Sequence, residues 1–273
     1  MSNHTLVIGG AGKTGGRVIE RLEARGVPVR VASRSTEPPF DWNDRATWAP
    51  ALSGASAAYI TYYPDLAVPG AAETIGALSR LAVDSGVRRL VLLAGRGEEE
   101  AEQAERELQA SGADWTIVRC TWFSQNFSES YFLDQLLTGE VALPVTDVPE
   151  PFVDAEDIAD VAVAALTEDG HVGKLYELTG SRLVRFDEAV AEIAEATGRP
   201  IRMVPITVDQ FAAALAEQDV PEDVIWLLKY LFSEVLDGRN AKLADGVQRA
   251  LGREPREFSD FVRRTAATGV WTP

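Results

Sequence analysis

"GGAGKTGG", Gly9 to Gly16, follows the apolar run "TLVI" and admits two readings. "GKT" is how a nucleoside-triphosphate loop ends, but the pattern G-x-x-x-x-G-K-[ST] needs a glycine five positions before the one preceding the lysine. With Gly12 as the second glycine, the first falls at Val7, so that frame fails. Gly10, Gly12 and Gly15 instead fit G-x-G-x-x-G, at the join of an expected strand and an expected helix. There glycines allow a tight turn and a close approach of backbone to a pyrophosphate, while the helix N-terminus supplies positive potential. Gly9, Lys13 and Thr14 complete this expected dinucleotide loop.

Outward from the loop, apolar and β-branched runs alternate with segments of helical period. "TLVIGG", "VRVAS", "AAYIT", "RLVLLAG", "WTIVRC" and "KLYELTG" read as strands, apolar on both faces as in a covered parallel sheet. Between them Val18, Ile19 and Leu22 share one helix face, and Ile75, Leu78 and Ala82 another, with stops at Gly26 and Gly86. The alternation predicts an α/β fold, a doubly wound parallel sheet of the Rossmann kind. After Gly180 the pattern turns helical, with a capping box at Thr207 and Gln210 and a helix through "PEDVIWLLKYLFSEVLDG". The expected organisation is a dinucleotide-binding domain over 1–123 and 151–180, with a small, mainly helical substrate lobe over 124–150 and 181–273. The acidic run "EEEAEQAERE" from Glu98 reads as a solvated helix face, with Ala101, Ala104 and Leu108 turned inward.

The end of the second strand selects the cofactor. An NAD protein carries an acid about 20 residues beyond the loop, for the ribose 2′-hydroxyl. Here Ser33, Arg34 and Ser35 stand in that place. Arginine flanked by hydroxyls suits a 2′-phosphate through charge-assisted hydrogen bonds, and Lys13 adds charge from the loop. The expected cofactor is NADP(H).

The net charge of −16 repels a phosphate backbone, so nucleic acid is not an expected partner. One cysteine, Cys120, excludes an intrachain disulfide, and His4 and His171 are too scattered for a metal site. No apolar window approaches a membrane span, and the N-terminus has no basic prelude to a signal peptide. A cytoplasmic protein, monomer or homodimer, acting on a small molecule is expected.

The motifs "GGAGKTGG", "VASRS", "FDWNDRATW", "RCTWFSQNFSES" and "PFVDAEDIADVAVAAL", in this order, resemble the NmrA-like, atypical branch of the short-chain dehydrogenase/reductases. The likeness is greatest to the ergot-alkaloid-type reductases and runs to about Leu178. The resemblance implies that Gly9, Gly12 and Gly15 line the pyrophosphate and that Ser33, Arg34 and Ser35 hold the 2′-phosphate. It places Asp41 and Trp42 near adenine, and Thr61, Tyr62, Tyr63 and Leu93, Ala94 and Gly95 towards ribose and nicotinamide. Cys120, Thr121, Trp122 and Phe123, with Asn126, would face nicotinamide and substrate.

The sequence also departs from the superfamily. Its usual proton donor is Tyr-x-x-x-Lys, in which lysine lowers the tyrosine pKa. None of the tyrosines at 59, 62, 63, 131, 176 and 230 has lysine four residues later. The partner serine's position reads "LLAGRG". Two readings follow. One is a reductase, possessing only Tyr62 and Tyr63 as weak catalytic candidates, that hands hydride to a flat conjugated quinone, iminium or activated carbonyl, in secondary metabolism. The other is a non-catalytic NADP(H) sensor of the NmrA type.

Overall fold

The computed structural model describes residues 3–130, 132–145 and 147–273; Tyr131, among the tyrosines surveyed above, lies outside them. The chain divides into two compact units. The first comprises Met1–Cys120, Ala155–Leu178 and Asp245–Arg253, and the second Thr121–Asp154, Thr179–Ala244 and Glu254–Pro273.

In the first unit the strands β1 (His4–Ile8), β2 (Val29–Ala32), β3 (Ala55–Ile60), β4 (Arg89–Gly95) and β5 (Asp114–Cys120) are those the apolar runs predict. In the second unit lies β6 (Glu140–Leu143); β7 (Lys174–Leu178) returns to the first. The first unit's sheet has the order β2-β1-β3-β4-β5-β7 and every pairing is parallel. Alternate residues face opposite sides of such a sheet. Leu6, Ile8, Ala58, Ile60, Leu90, Leu92 and Ala94 join Ile75, Leu78, Ala101 and Leu108 from the helices Ala71–Asp84 and Glu99–Gln109 in one core. The helices Gly15–Ala24 and Ala155–Thr167 pack together as another pair. The strand order reverses between β1 and β3. That switch point is where open parallel sheets bind ligands, and it holds the glycine loop.

The segment Asp245–Arg253, beyond Gly180, groups with the first unit. Gly246 lies against the Glu177 carbonyl of β7, so closely that a Cβ would overlap it. Arg253 meets Asp157 at 2.7 Å and Asp160 at 2.6 Å, both on the helix Ala155–Thr167. A buried carboxylate such as Asp157 needs a partner of this kind.

The second unit adds a two-stranded parallel sheet, β6 with β8 (Arg202–Pro205), which the sequence reading does not contain. Its core is aromatic: Phe127, Phe132, Phe152, Phe186, Phe258 and Trp271 are buried together. The Trp271 indole N–H donates to the Phe127 carbonyl at 2.8 Å, so its polar edge is satisfied. The Thr207–Gln210 capping box forms as expected, with both reciprocal hydrogen bonds. The long helix expected from Pro221 to Gly238 does not. Its α-helical part is Glu222–Tyr230, and Leu231–Val235 continues as a π-helical turn.

Candidate cofactor-binding site

The loop after β1 owes its shape to its glycines. Gly9 has φ +82°, a region that favours glycine, and its side-chain direction is blocked by the Thr61 hydroxyl. Thr61 is fixed there by donating to the Ile8 carbonyl at 3.0 Å. A Cβ on Gly10 would lie 2.7 Å from Val31 and 2.8 Å from Ile19. On Gly15 it would strike the Gly9 carbonyl and come within 2.9 Å of the Gly10 Cα. These two glycines let the loop close on itself. Gly12 differs: its N–H donates to the Gly9 carbonyl at 2.9 Å, and a Cβ there would meet only that carbonyl, at 3.3 Å. Gly12 is exposed and borders open space.

Behind the loop, Thr14 is buried at the start of the helix Gly15–Ala24, whose first turn carries no acid. Its positive dipole end therefore faces no competing carboxylate of its own turn. Lys13 is half-buried in the loop, and its carbonyl accepts from Arg17 at 2.6 Å.

Past β2 the chain turns sharply. The Ser33 and Ser35 hydroxyls lie 3.1 Å apart, and Thr36 Oγ1 accepts the Ser33 N–H at 3.0 Å. Arg34 projects from this turn, exposed, and no carboxylate among the described residues pairs with it. In "FDWNDRATW", Asp41 accepts the Asn43 N–H at 2.9 Å, while its carbonyl takes the Trp48 indole N–H at 2.8 Å. Trp42 is half-buried against Phe40, Trp48 and Tyr62, with ring centres 4.8 Å apart in the last pair. Tyr62 thus packs on Trp42, whereas Tyr63 is 75% exposed.

Leu93, Ala94 and Gly95 are the last three residues of β4, not a segment following it, and Cys120 is likewise the last residue of β5. Ladder hydrogen bonding carries both strands that far, and Gly95 pairs in register with Cys120. Cys120 is buried, and burial, then the charge of Glu98, pushes its thiol well above the ordinary range. That suits an inert cysteine rather than a nucleophile. Tyr59 is fully buried between Thr14 and Cys120, and burial raises its hydroxyl far enough to keep it a phenol.

All of these lie in the first unit. Trp122, Phe123 and Asn126 belong to the second. Trp122 is half-buried, with ring centres 5.0 Å from Phe232, 5.5 Å from Phe186 and 6.5 Å from Phe132. Phe123 bridges to Val153 along the backbone, and the Asn126 carbonyl accepts from Ser130 at 3.0 Å.

The sequence reading missed a set of charged side chains at the carboxyl ends of β4 and β5. Arg119 donates to Glu105 at 2.8 Å and to Glu177 at 3.1 Å. Arg96 reaches Glu177 at 3.4 Å. Glu98 and Glu105 are buried, against the expectation of a wholly solvated acidic face. Ala101, Ala104 and Leu108 do turn inward as expected, and Glu105 shares their side of the helix because Arg119 waits for it. Among the described residues no cluster could hold a metal ion, and no helix is long and apolar enough to cross a membrane.

The sequence matches a family described as NAD(P)H-binding over residues 9–169. It is 31% identical to agroclavine dehydrogenase of Claviceps fusiformis, covering 94% of this chain and 95% of that one. It is 28% identical to an NAD(P)H azoreductase of Xenophilus azovorans, over 96% and 98% of the two chains. The fold superposes with a TM-score of 0.78 on the triphenylmethane reductase of Citrobacter complexed with NADP(H), at 19% identity over 96% of this chain and 99% of the other.

Proposed function

This chain belongs to the NAD(P)H-binding family, and we propose that it is an NADPH-dependent reductase of a flat, conjugated small molecule, a quinone, iminium or activated carbonyl, working without a Tyr-x-x-x-Lys dyad. The observation that carries the reading is the pairing of open space at Gly12 with the exposed guanidinium of Arg34, which pairs with no carboxylate among the described residues. The first leaves room for a pyrophosphate against a helix N-terminus that has no acid in its first turn. The second offers a 2′-phosphate a cation not already bound to a carboxylate, beside two serine hydroxyls.

The nicotinamide cofactor supplies hydride when bound. The protein's part is to hold donor and acceptor at contact distance, which is itself a large share of such catalysis. Gly9, Gly10, Gly12, Lys13, Thr14 and Gly15 are proposed to cradle the pyrophosphate. Ser33, Arg34 and Ser35 take the 2′-phosphate; Asp41 and Trp42 border adenine; Thr61 and Leu93 to Gly95 border ribose and nicotinamide. Tyr62, Tyr63, Cys120, Trp122, Phe123 and Asn126 are proposed as substrate contacts. Support for reduction of conjugated π-systems comes from the names of two relatives, a dehydrogenase of agroclavine and a reductase of azo compounds.

The test is NADPH oxidation against a panel of quinones, azo dyes, cyclic iminiums and aromatic ketones. Turnover of about 1 s⁻¹ or faster on one class, in the range of ordinary enzymes, is the expected result. Tight NADPH binding with no turnover of any of them would overturn it in favour of a sensor.

A further inference from the structure

The carboxyl ends of β3, β4 and β5 converge on an acid that the cofactor loop leaves unused. Glu98 stands three residues past Gly95, in extended conformation, and is 7% exposed. It occupies the N-cap position of the helix Glu99–Gln109 but makes no capping hydrogen bond. Its side chain instead folds over Gly95, and the carboxyl fills the volume in which a side chain at 95 would begin. Asp65, past the end of β3, reaches the same carboxyl while accepting the Ala67 N–H at 2.9 Å. Cys120 and Glu105 are the other titratable groups that face it. Arg119 nearby is committed to Glu105 and Glu177.

We propose that Glu98 is the proton donor of the reduction, and that Asp65, half-buried, relays protons from water to it. This rests on the reductase reading above. Two carboxyls in contact cannot both ionise. Glu98 is held well above the usual carboxylate range by burial and then by the charge of Asp65, so it is the member that keeps the proton. Its Oε2 is buried without a hydrogen-bond partner. A neutral acid with an unanswered oxygen, at the edge where parallel sheets bind ligands, is poised for an acceptor from outside the chain.

The step balances as follows. Hydride from the reduced cofactor forms a new bond to one atom of the acceptor's double bond. The π electron pair collects on the other atom, which takes the proton from Glu98. The Glu98 carboxylate then regains a proton from water through Asp65. A carbonyl, quinone or azo acceptor builds up an anion in this step and needs the acid. An iminium becomes neutral on accepting hydride and does not. The acid therefore points to neutral acceptors as the substrate class.

Three measurements test this. Infrared spectra of the cofactor-free protein between about pH 6 and pH 9 should show a protonated carboxyl, persisting above the ordinary range near 4.3, that Glu98→Gln removes. Glu98→Gln should lower kcat on a quinone or azo dye by about 10²–10⁴-fold, with NADPH affinity unchanged. Asp65→Asn removes the neighbouring charge, so kcat should begin to fall at a lower pH than in the wild type. Absence of the protonated carboxyl, or quinone turnover in Glu98→Gln equal to the wild type, overturns the assignment while leaving the reductase standing. Failure of the wild type on every acceptor overturns both.

Discussion

Gly12 and Gly95 both lie on a passage from strand to helix at the carboxyl edge of one sheet, and they lack a side chain for opposite reasons. At Gly12 a Cβ would meet only the Gly9 carbonyl, at 3.3 Å, and the space beyond it is open. At Gly95 the space is already taken by the Glu98 carboxyl. The first is set by spacing within eight residues. The second is set by a side chain three residues on and an aspartate thirty positions back. One borders open space, the other the protein's own acid.

The largest effect that can break this contrast belongs to Gly12. Its φ is not in the left-handed region and it is exposed, so valine there should leave the fold intact. Gly12→Val should weaken NADPH by more than about 100-fold, or about 2.7 kcal/mol, measured by calorimetry. Unchanged affinity would mean that the space is not the pyrophosphate's. Next comes Gly95→Ala, whose methyl group must displace the Glu98 carboxyl. A misplacement of this size costs on the order of 10²-fold in kcat, and combining it with Glu98→Gln should add little further loss, as coupled sites do. Full additivity would separate Gly95 from the acid.

Arg34→Ala sharpens the other side. Losing charge-assisted hydrogen bonds costs about 1.5–3 kcal/mol, so NADPH should weaken by roughly 10- to 100-fold while NADH barely changes. Equal wild-type affinity for the two cofactors would remove the 2′-phosphate from Arg34.

A smaller effect lies in stability, and its sign follows from linkage. Glu98 has a raised folded-state pKa. The stability its proton contributes is full below the unfolded value, about 4.3, and is lost as pH rises through the folded value. Glu98→Gln should therefore flatten the decline of the urea midpoint with pH and exceed the wild type on the alkaline side. A parallel decline in both proteins would show that Glu98 ionises freely. The smallest effect is expected at Tyr63, which is 75% exposed. Tyr63→Phe should lower kcat by less than about 10-fold, and a loss in the general-acid range of about 10²–10⁴ would move the proton donor there.

The same contrast explains what could be read from the sequence. The strands of the main sheet were legible because apolar and β-branched residues recur in each, most deeply buried in β1, β3 and β4, and the glycine loop because its spacing is local. The capping box at Thr207 and Gln210 was legible for the same reason. Strands β6 and β8 are four residues each and partly exposed, so they carry no apolar run to find. Glu98 and Glu105 use the same letters as Glu99 and Glu102, which stay nearer solvent. Their tertiary partners distinguish them: Asp65 reaches Glu98, and Arg119 holds Glu105 more closely than Glu102. The return of Asp245–Arg253 to the first unit rests on Glu177 and on Asp157 and Asp160, again remote partners.

That return bears on the order in which the molecule can be made. During synthesis the amino end emerges first, and domains generally fold as units as they appear. Here the sheet's last strand, β7, ends at Leu178, yet the stretch that covers Glu177 and neutralises Asp157 is not delivered until Arg253. Between them the ribosome must produce the intervening 66 residues of the second unit, Thr179–Ala244. Until then the nascent first unit lacks the guanidinium that meets Asp157 and the segment that lies against Glu177. Completion of the first unit thus waits on a segment translated long after the glycine loop at Gly9–Gly16.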